Sequence, residues 1–238
     1  MGWVRGNTPV EQARLARGRL AMRGMTDDAQ VWAGLIQAFD LWRAVVAGYA
    51  QAYARVGVEQ PVCGYRYAML DADRQPRVAT RAERSLWWSD ASGLPPAAGV
   101  QMIDTLAEGD DPALPGLLCL HALRRANDDP LAETMRQSLT ATRASTQPKV
   151  PVLVVHGTVD SLVLMAQTGQ AYVAAARRQA VTAIGFWEVR RAQHFDAFVN
   201  LPAMAGKVQP LLPPAFEALD QMRAHLDGGP FPADRVID

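Results

Sequence analysis

Charge of neither sign is in excess in this sequence: 24 lysine and arginine residues face 24 aspartate and glutamate residues over 238 positions. A nucleic-acid binder needs a basic stripe to displace phosphate counterions, so the composition argues against that class. Long hydrophobic runs are also missing. No apolar stretch approaches the roughly 20 residues that a bilayer-spanning helix requires, and no membrane role is expected. The opening residues, Met1 to Pro9, lack the apolar core of a signal peptide. If Met1 is the true start, that places the chain in the cytoplasm. Cysteine is scarce, at two residues. Neither Cys63 nor Cys119 has a second close ligand, so a metal site is not expected. Two readings stay open for them: small buried hydrophobes, or one disulfide, which needs an oxidising compartment. No phosphate-binding glycine loop or cofactor fingerprint occurs, and no cofactor is expected.

What is present centres on Lys149-Val-Pro-Val-Leu-Val-Val-His-Gly-Thr-Val-Asp160. A short, β-branched apolar run that breaks at glycine suits a buried strand of a parallel sheet. Asp160 then stands in the loop past the strand's carboxyl end, where open α/β sheets place catalytic groups. A second strand-like run, Gly185 to Arg190, leads into a loop carrying His194. One helix, about 166 to 179, separates the two runs, so both loops are expected at the same sheet edge. An aspartate that orients an imidazole, which in turn takes a proton from a serine, is the logic of a hydrolase triad. The order acid, then histidine, is also that of α/β hydrolases, in which the nucleophile comes first. Alone, Asp160 reads equally as a turn residue and His194 as an ordinary loop histidine; the conjunction favours the pair. His156 reads as a packed group beside the strand end. Asp196 is too close to His194 in sequence to be its acid.

The nucleophile is absent. No Gly-x-Ser-x-Gly elbow occurs, and Ser161 follows the acid directly, where it would be aimed wrongly. Ser85, Ser89, Ser92, Ser138 and Ser145 lack the strand–turn–helix setting that a strained nucleophile needs.

Upstream, periodicity predicts helices. Thr8-Pro9-Val10-Glu11 starts one that runs to about Met22 and stops at Gly24. Thr26 or Asp27 starts a longer one, whose apolar face runs from Val31 to Tyr53, with Gly57 as its stop. From Glu59 to Ala98 periodicity fails, which suggests loops with one or two short strands. Trp87 and Trp88, beside three serines, could line an acyl pocket, or simply pin the loop to the core. Helices are expected again at about 98 to 107, 114 to 125 and 130 to 143, and a last one at about 215 to 226 with Phe216, Leu219, Met222 and Leu226 on one face. The expected division is a mostly helical cap over residues 1–147 and an α/β portion over residues 148–238. With two clear strands, that sheet must continue in further sequence or in a partner.

Several segments together resemble one family. Pro151-Val-Leu-Val-Val-His-Gly-x-x-Asp160, Ala192-Gln-His-Phe-Asp-Ala-Phe198, Ala82-Glu-Arg-x-Leu-Trp-Trp-Ser-Asp90 and Gly116-Leu-Leu-Cys-Leu120 are similar to the D-(−)-3-hydroxybutyrate oligomer hydrolases. The resemblance covers nearly the whole chain and implies an α/β-hydrolase fold. It also implies an esterase of 3-hydroxybutyrate dimers and short oligomers, hence a small-molecule ester substrate. Family members are longer and carry the serine upstream, so the resemblance is to a carboxyl-terminal portion, whose partner would be the missing amino-terminal portion. By carry-over Asp160 is the triad acid and His194 the general base. Cys63 and Cys119 match family cysteines, implying a disulfide, and an extracellular or periplasmic location. The alternatives are an inactive or binding remnant, favoured by the missing elbow, and an esterase of other acyl substrates.

Overall fold

The computed structural model describes residues 4–38, 40–86 and 99–238. Contacts divide the chain into two units, Met1–Phe39 with Ser145–Asp238, and Asp40–Ala144. The sequence reading grouped residues 1–147 together. In the structure the first two helices instead belong with the carboxyl-terminal sheet.

In the first unit, helix α1 (Pro9–Met22) starts where the capping signals place it. Thr8 Oγ1 accepts from Glu11 N at 3.2 Å, and the Glu11 carboxylate accepts from Asn7 N at 2.8 Å. The chain turns at Gly24, whose φ of +90° favours glycine. Helix α2 (Asp27–Ala38) follows, with Thr26 Oγ1 accepting from Ala29 N at 3.1 Å. The α1–α2 corner lies against the short turn Met165–Gln167: Gln167 Nε2 donates to Arg23 O at 2.8 Å, and a Cβ on Gly24 would stand 2.8 Å from Ala166 Cβ.

Two strands of that unit fall at the expected places. In chain order after the elements of the second unit, they are β4 (Val152–Gly157) and β5 (Ile184–Val189), parallel, with Val152 beside Ile184 and Gly157 beside Val189. Between them runs helix α7 (Gly169–Arg178), ending in Arg177 and Arg178, where cations suit the helix dipole. Val173 and Ala176 on α7 bury against Ile184, and Val152, Val154 and Phe186 pack around them. The sequence reading finds two strands; among the described residues the sheet has three. Strand β6 (Arg235–Ile237) pairs parallel with β5, giving the order β4-β5-β6. Its three residues follow a Gly-Gly-Pro break and are too few to show a period, which is why patterning misses it.

Helix α8 (Leu212–Leu226) begins three residues earlier than expected. Its expected core face is also corrected. Phe216, Leu219 and Leu226 are exposed, and Ala218 is the buried residue. Strand β4 lies at the sheet's end. Because Val152 N and Thr158 N donate toward β5, alternation turns the N–H and C=O groups of Leu153 and Val155 outward, and no backbone partner meets them among the described residues.

The second unit departs further from expectation. The single long helix over residues 27 to 56 is two, because Asp40 adopts a left-handed φ of +54°. Aspartate tolerates that conformation better than most residues. Helix α3 (Leu41–Ala54) then starts afresh. The Asp40 carboxylate holds Arg43, which also reaches Asp104 at 3.3 Å. The helix expected at 98 to 107 is a strand. β3 (Gln101–Asp104) pairs antiparallel with β1 (Tyr65–Leu70), which also pairs with β2 (Pro76–Arg77). Gly99, at φ +87°, starts β3 in a conformation that breaks helices, and Ile103 suits a strand beside Arg66.

Helices α4 (Arg81–Leu86), α5 (Leu114–Leu123) and α6 (Pro130–Ala141) complete that unit. Asp129 caps α6, its Oδ1 accepting from Leu131 N at 2.8 Å and Ala132 N at 3.1 Å. The core joins Ala47, Ala50 and Ala54 of α3 to Val62, Tyr65 and Leu120. Helix α5 crosses Tyr65 so closely that a Cβ on Gly116 would lie 2.5 Å from its ring. Burial pushes the neighbouring Tyr67 hydroxyl up to about 12, and it donates to Ala44 O at 2.6 Å. Cys63 and Cys119 form a disulfide across this core, with Cα atoms 5.5 Å apart.

Candidate active site

The sheet's carboxyl edge is where two loops meet, and glycine permits the meeting. After β4 the chain turns through Gly157, and after β5 it turns through Arg191 and Ala192. A Cβ on Gly157 would fall 2.3 Å from Ala192 O, a backbone atom with no freedom to retreat. The loops are then stitched together. Val159 N donates to Ala192 O at 3.1 Å, Thr158 N to Val189 O at 2.9 Å, and Arg191 N to Thr158 Oγ1 at 3.0 Å.

Asp160 leaves this junction with its side chain 6% exposed. Oδ1 accepts from Leu162 N at 2.9 Å and Val163 N at 2.7 Å, an Asx turn that fixes the carboxylate plane. Oδ2 lies 2.8 Å from His194 Nδ1. A carboxylate can only accept, so Nδ1 carries a proton, and in the neutral ring Nε2 is left as an acceptor. The imidazole is 35% exposed, and Nε2 makes no hydrogen bond among the described residues. Its ring stands edge-on to Phe195, centroids 4.6 Å apart, and Phe195 in turn meets Phe198 at 5.2 Å. One buried carboxylate thus orients one accessible imidazole. That arrangement can take a proton from a hydroxyl or return one to a leaving group.

His156 is close by and plays a different part. Its side chain is 12% exposed, and Nε2 lies 3.0 Å from Val163 O against 3.8 Å from Asp160 Oδ2. The shorter contact satisfies that nitrogen by holding the far end of the Asx turn. Gly169, at the start of α7, leaves room for the ring: a Cβ there would be 2.8 Å from His156 Nδ1.

Asp196 does not compete for His194. Its Oδ1 accepts from Leu211 N at 2.7 Å and its Oδ2 from Leu212 N at 2.8 Å, at the start of α8. Sequence reasoning weighed Asp196 only as a rival acid and overlooked Gly157 and Thr158 as linkers. Partial signals exist. The glycine stands at the end of an apolar strand, and an aspartate beside the histidine precedes a Pro-Pro helix start. Ser161 is buried beside the acid. Trp87 and Trp88 lie outside the described residues. Among the described residues, no group of three or more His, Cys, Asp and Glu side chains could hold a metal ion, and no helix is long and apolar enough to cross a membrane.

The fold and site define an α/β protein that presents a hydrogen-bonded carboxylate–imidazole pair at the carboxyl ends of adjacent parallel strands. The chain belongs to the 3HB-oligomer hydrolase (3HBOH) family, whose pattern matches residues 1–238. It is 31% identical to the D-(−)-3-hydroxybutyrate oligomer hydrolase of Paracidovorax citrulli, over 99% of this chain and 36% of that protein. To the proteins of the same name from Azoarcus sp. and Cupriavidus necator it is 29% identical, covering 36% and 34% of their lengths. The chain therefore spans about a third of the length of these relatives. No solved structure matches it.

Proposed function

We propose that this chain contributes the acid and the general base of a serine-type carboxylic ester hydrolase acting on 3-hydroxybutyrate dimers and short oligomers. The single observation that carries the reading is the 2.8 Å contact between buried Asp160 and the Nδ1 of a partly exposed His194, whose Nε2 makes no hydrogen bond among the described residues. The relatives' names supply the substrate class.

In this reading a serine hydroxyl, from polypeptide outside these 238 residues, gives its proton to His194 Nε2 as its oxygen attacks the ester carbonyl. Asp160 stabilises the imidazolium that forms. The imidazolium then protonates the departing hydroxybutyrate oxygen as the ester C–O bond breaks, leaving an acyl-enzyme. Water, deprotonated by the same Nε2, releases the acid and restores the serine. The sheet is read as the end of an α/β-hydrolase sheet, whose further strands add at the outward side of β4. Trp87 and Trp88 are candidate residues of the ester pocket. The disulfide fits an oxidising, extracellular or periplasmic setting.

The test is hydrolysis of 3-hydroxybutyrate dimer by the polypeptide extended upstream to the length of the relatives. Activity that vanishes in His194→Ala and in Asp160→Asn is the expected result. Undiminished activity in either variant would sink the assignment, and turnover of simple acyl esters with none of the dimer would replace the substrate class.

A further inference from the structure

His194 sits between two anchors on its own loop. The amino-terminal anchor is backbone: Ala192 is fully buried, and its carbonyl accepts from Val159 N of the acid loop. Buried Gln193 closes on the loop itself, its amide donating to Phe195 O. The carboxyl-terminal anchor is a side chain. Asp196 opens the short turn Asp196–Phe198, and both of its oxygens accept backbone N–H groups from Leu211 and Leu212. Those donors lie 15 and 16 residues farther on, at the start of a 15-residue helix that has no side-chain cap from its own N-cap residue, Leu211. The capping oxygens that α8 would ordinarily draw from an adjacent Ser, Thr or Asp thus come from the histidine loop.

We propose that Asp196 is a positioning residue for His194: it hangs the histidine loop from the amino end of α8 and thereby sets the imidazole against Asp160. This rests on the reading of Asp160 and His194 as a catalytic pair. Two residues of extended chain reach roughly 7 Å, so release of Asp196 lets the imidazole move by more than the 1 Å that disrupts proton transfer. Engagement with α8 has a second effect. Held by those N–H groups, the Asp196 carboxylate stays at the start of α8 and makes no hydrogen bond to Nδ1 among the described residues. One carboxylate therefore faces the imidazole, although two lie within reach along the chain.

The experiment is nitrogen-15 histidine NMR on the 238-residue protein, which has four histidines to resolve. The unaltered protein should show His194 as a fixed Nδ1–H tautomer with a strongly downfield, slowly exchanging Nδ1 proton, and Asp160→Asn should abolish that signature. If the signature is missing, or survives Asp160→Asn, the catalytic-pair reading itself fails. Given the signature, isosteric Asp196→Asn and Asp196→Ala should raise the exchange rate of that proton by about 100-fold or erase its resonance. The His156 and His225 signals should stay in place, and Asp196→Asn should be the milder change, since it keeps one accepting oxygen. An unchanged His194 signature in both variants overturns the role of Asp196 while leaving the pair intact. Joint collapse of the His156, His194 and His225 signals in both variants also overturns it, because Asp196 would then hold the whole unit and not the loop.

Discussion

The two units of this chain solve the same problem, a small core, by different means. Unit Asp40–Ala144 packs alanines of α3 against Tyr65 and Leu120, adds a three-stranded antiparallel sheet, and closes the arrangement covalently through Cys63–Cys119. The other unit has no cysteine. It buries Trp187 and Val189 in a parallel sheet and binds its loops with backbone hydrogen bonds and carboxylates that accept from helix and turn N–H groups. The stapled unit can tolerate a thin core because its unfolded state is restricted. The unstapled unit needs close backbone approach, and it is there that an oriented imidazole is found. Precision of placement and covalent reinforcement are separated in this molecule.

The largest expected effect breaks the site and leaves both units standing. In the upstream-extended enzyme, His194→Ala or Asp160→Asn should lower kcat on 3-hydroxybutyrate dimer by about 10,000-fold, with unchanged circular dichroism. Next is the staple. Cys63→Ser with Cys119→Ser opens a loop of 56 residues and should cost about 4 kcal/mol in denaturant titration, seen in the signals of residues 40–144. An equal loss in the other unit's signals would erase the contrast. Gly157→Ala is the counterpart test. A Cβ 2.3 Å from Ala192 O cannot be accommodated by a side-chain shift, and about 3 kcal/mol should be lost, with the His194 Nδ1 proton signal displaced. Full retention of both would show that the loops can separate without consequence.

The smallest effect is electrostatic. Arg177 at the end of α7 holds Asp234 at 2.6 Å, and that bond keeps the Asp234 carboxyl below its ordinary range, aided by the Phe186 N–H. A carboxyl lowered in the folded state stabilises above its unfolded value and loses that contribution as pH falls through the folded one. Both side chains are about half exposed, so Asp234→Asn should cost under about 1 kcal/mol at neutral pH and nothing once the aspartate is protonated. A cost that does not shrink as pH falls below the ordinary carboxylate range would show that packing, not charge, is responsible.

The same contrast separates what the sequence makes legible from what it hides. The strand Val152–Gly157, helix Gly169–Arg178 and strand Ile184–Val189 are each announced by local pattern, and with them the meeting of Asp160 and His194. The second unit is organised by tertiary contacts that no local pattern carries. Asp40 breaks the long helix, and residues 101–104 become a strand because β1 lies beside them. At the site, residue types were readable while distant partners were not. Asp196 finds Leu211 and Leu212 across a proline-punctuated connection, and spacing alone gives no hint of that pairing. Helix α8 shows the converse error. Its apolar period was clear, but the period does not say whether the stripe is covered.

The outward side of β4 has a practical consequence for anyone handling the isolated 238-residue chain. Leu153 and Val155 present backbone groups that meet no backbone partner among the described residues, along an apolar strand with no lysine, interior proline or bulge to discourage a newcomer. Such a rim accepts any extended segment, including another copy of itself. Self-association of the isolated chain should therefore rise with protein concentration and fall with added charge on that strand, making colloidal behaviour a readout of whether the rim is occupied.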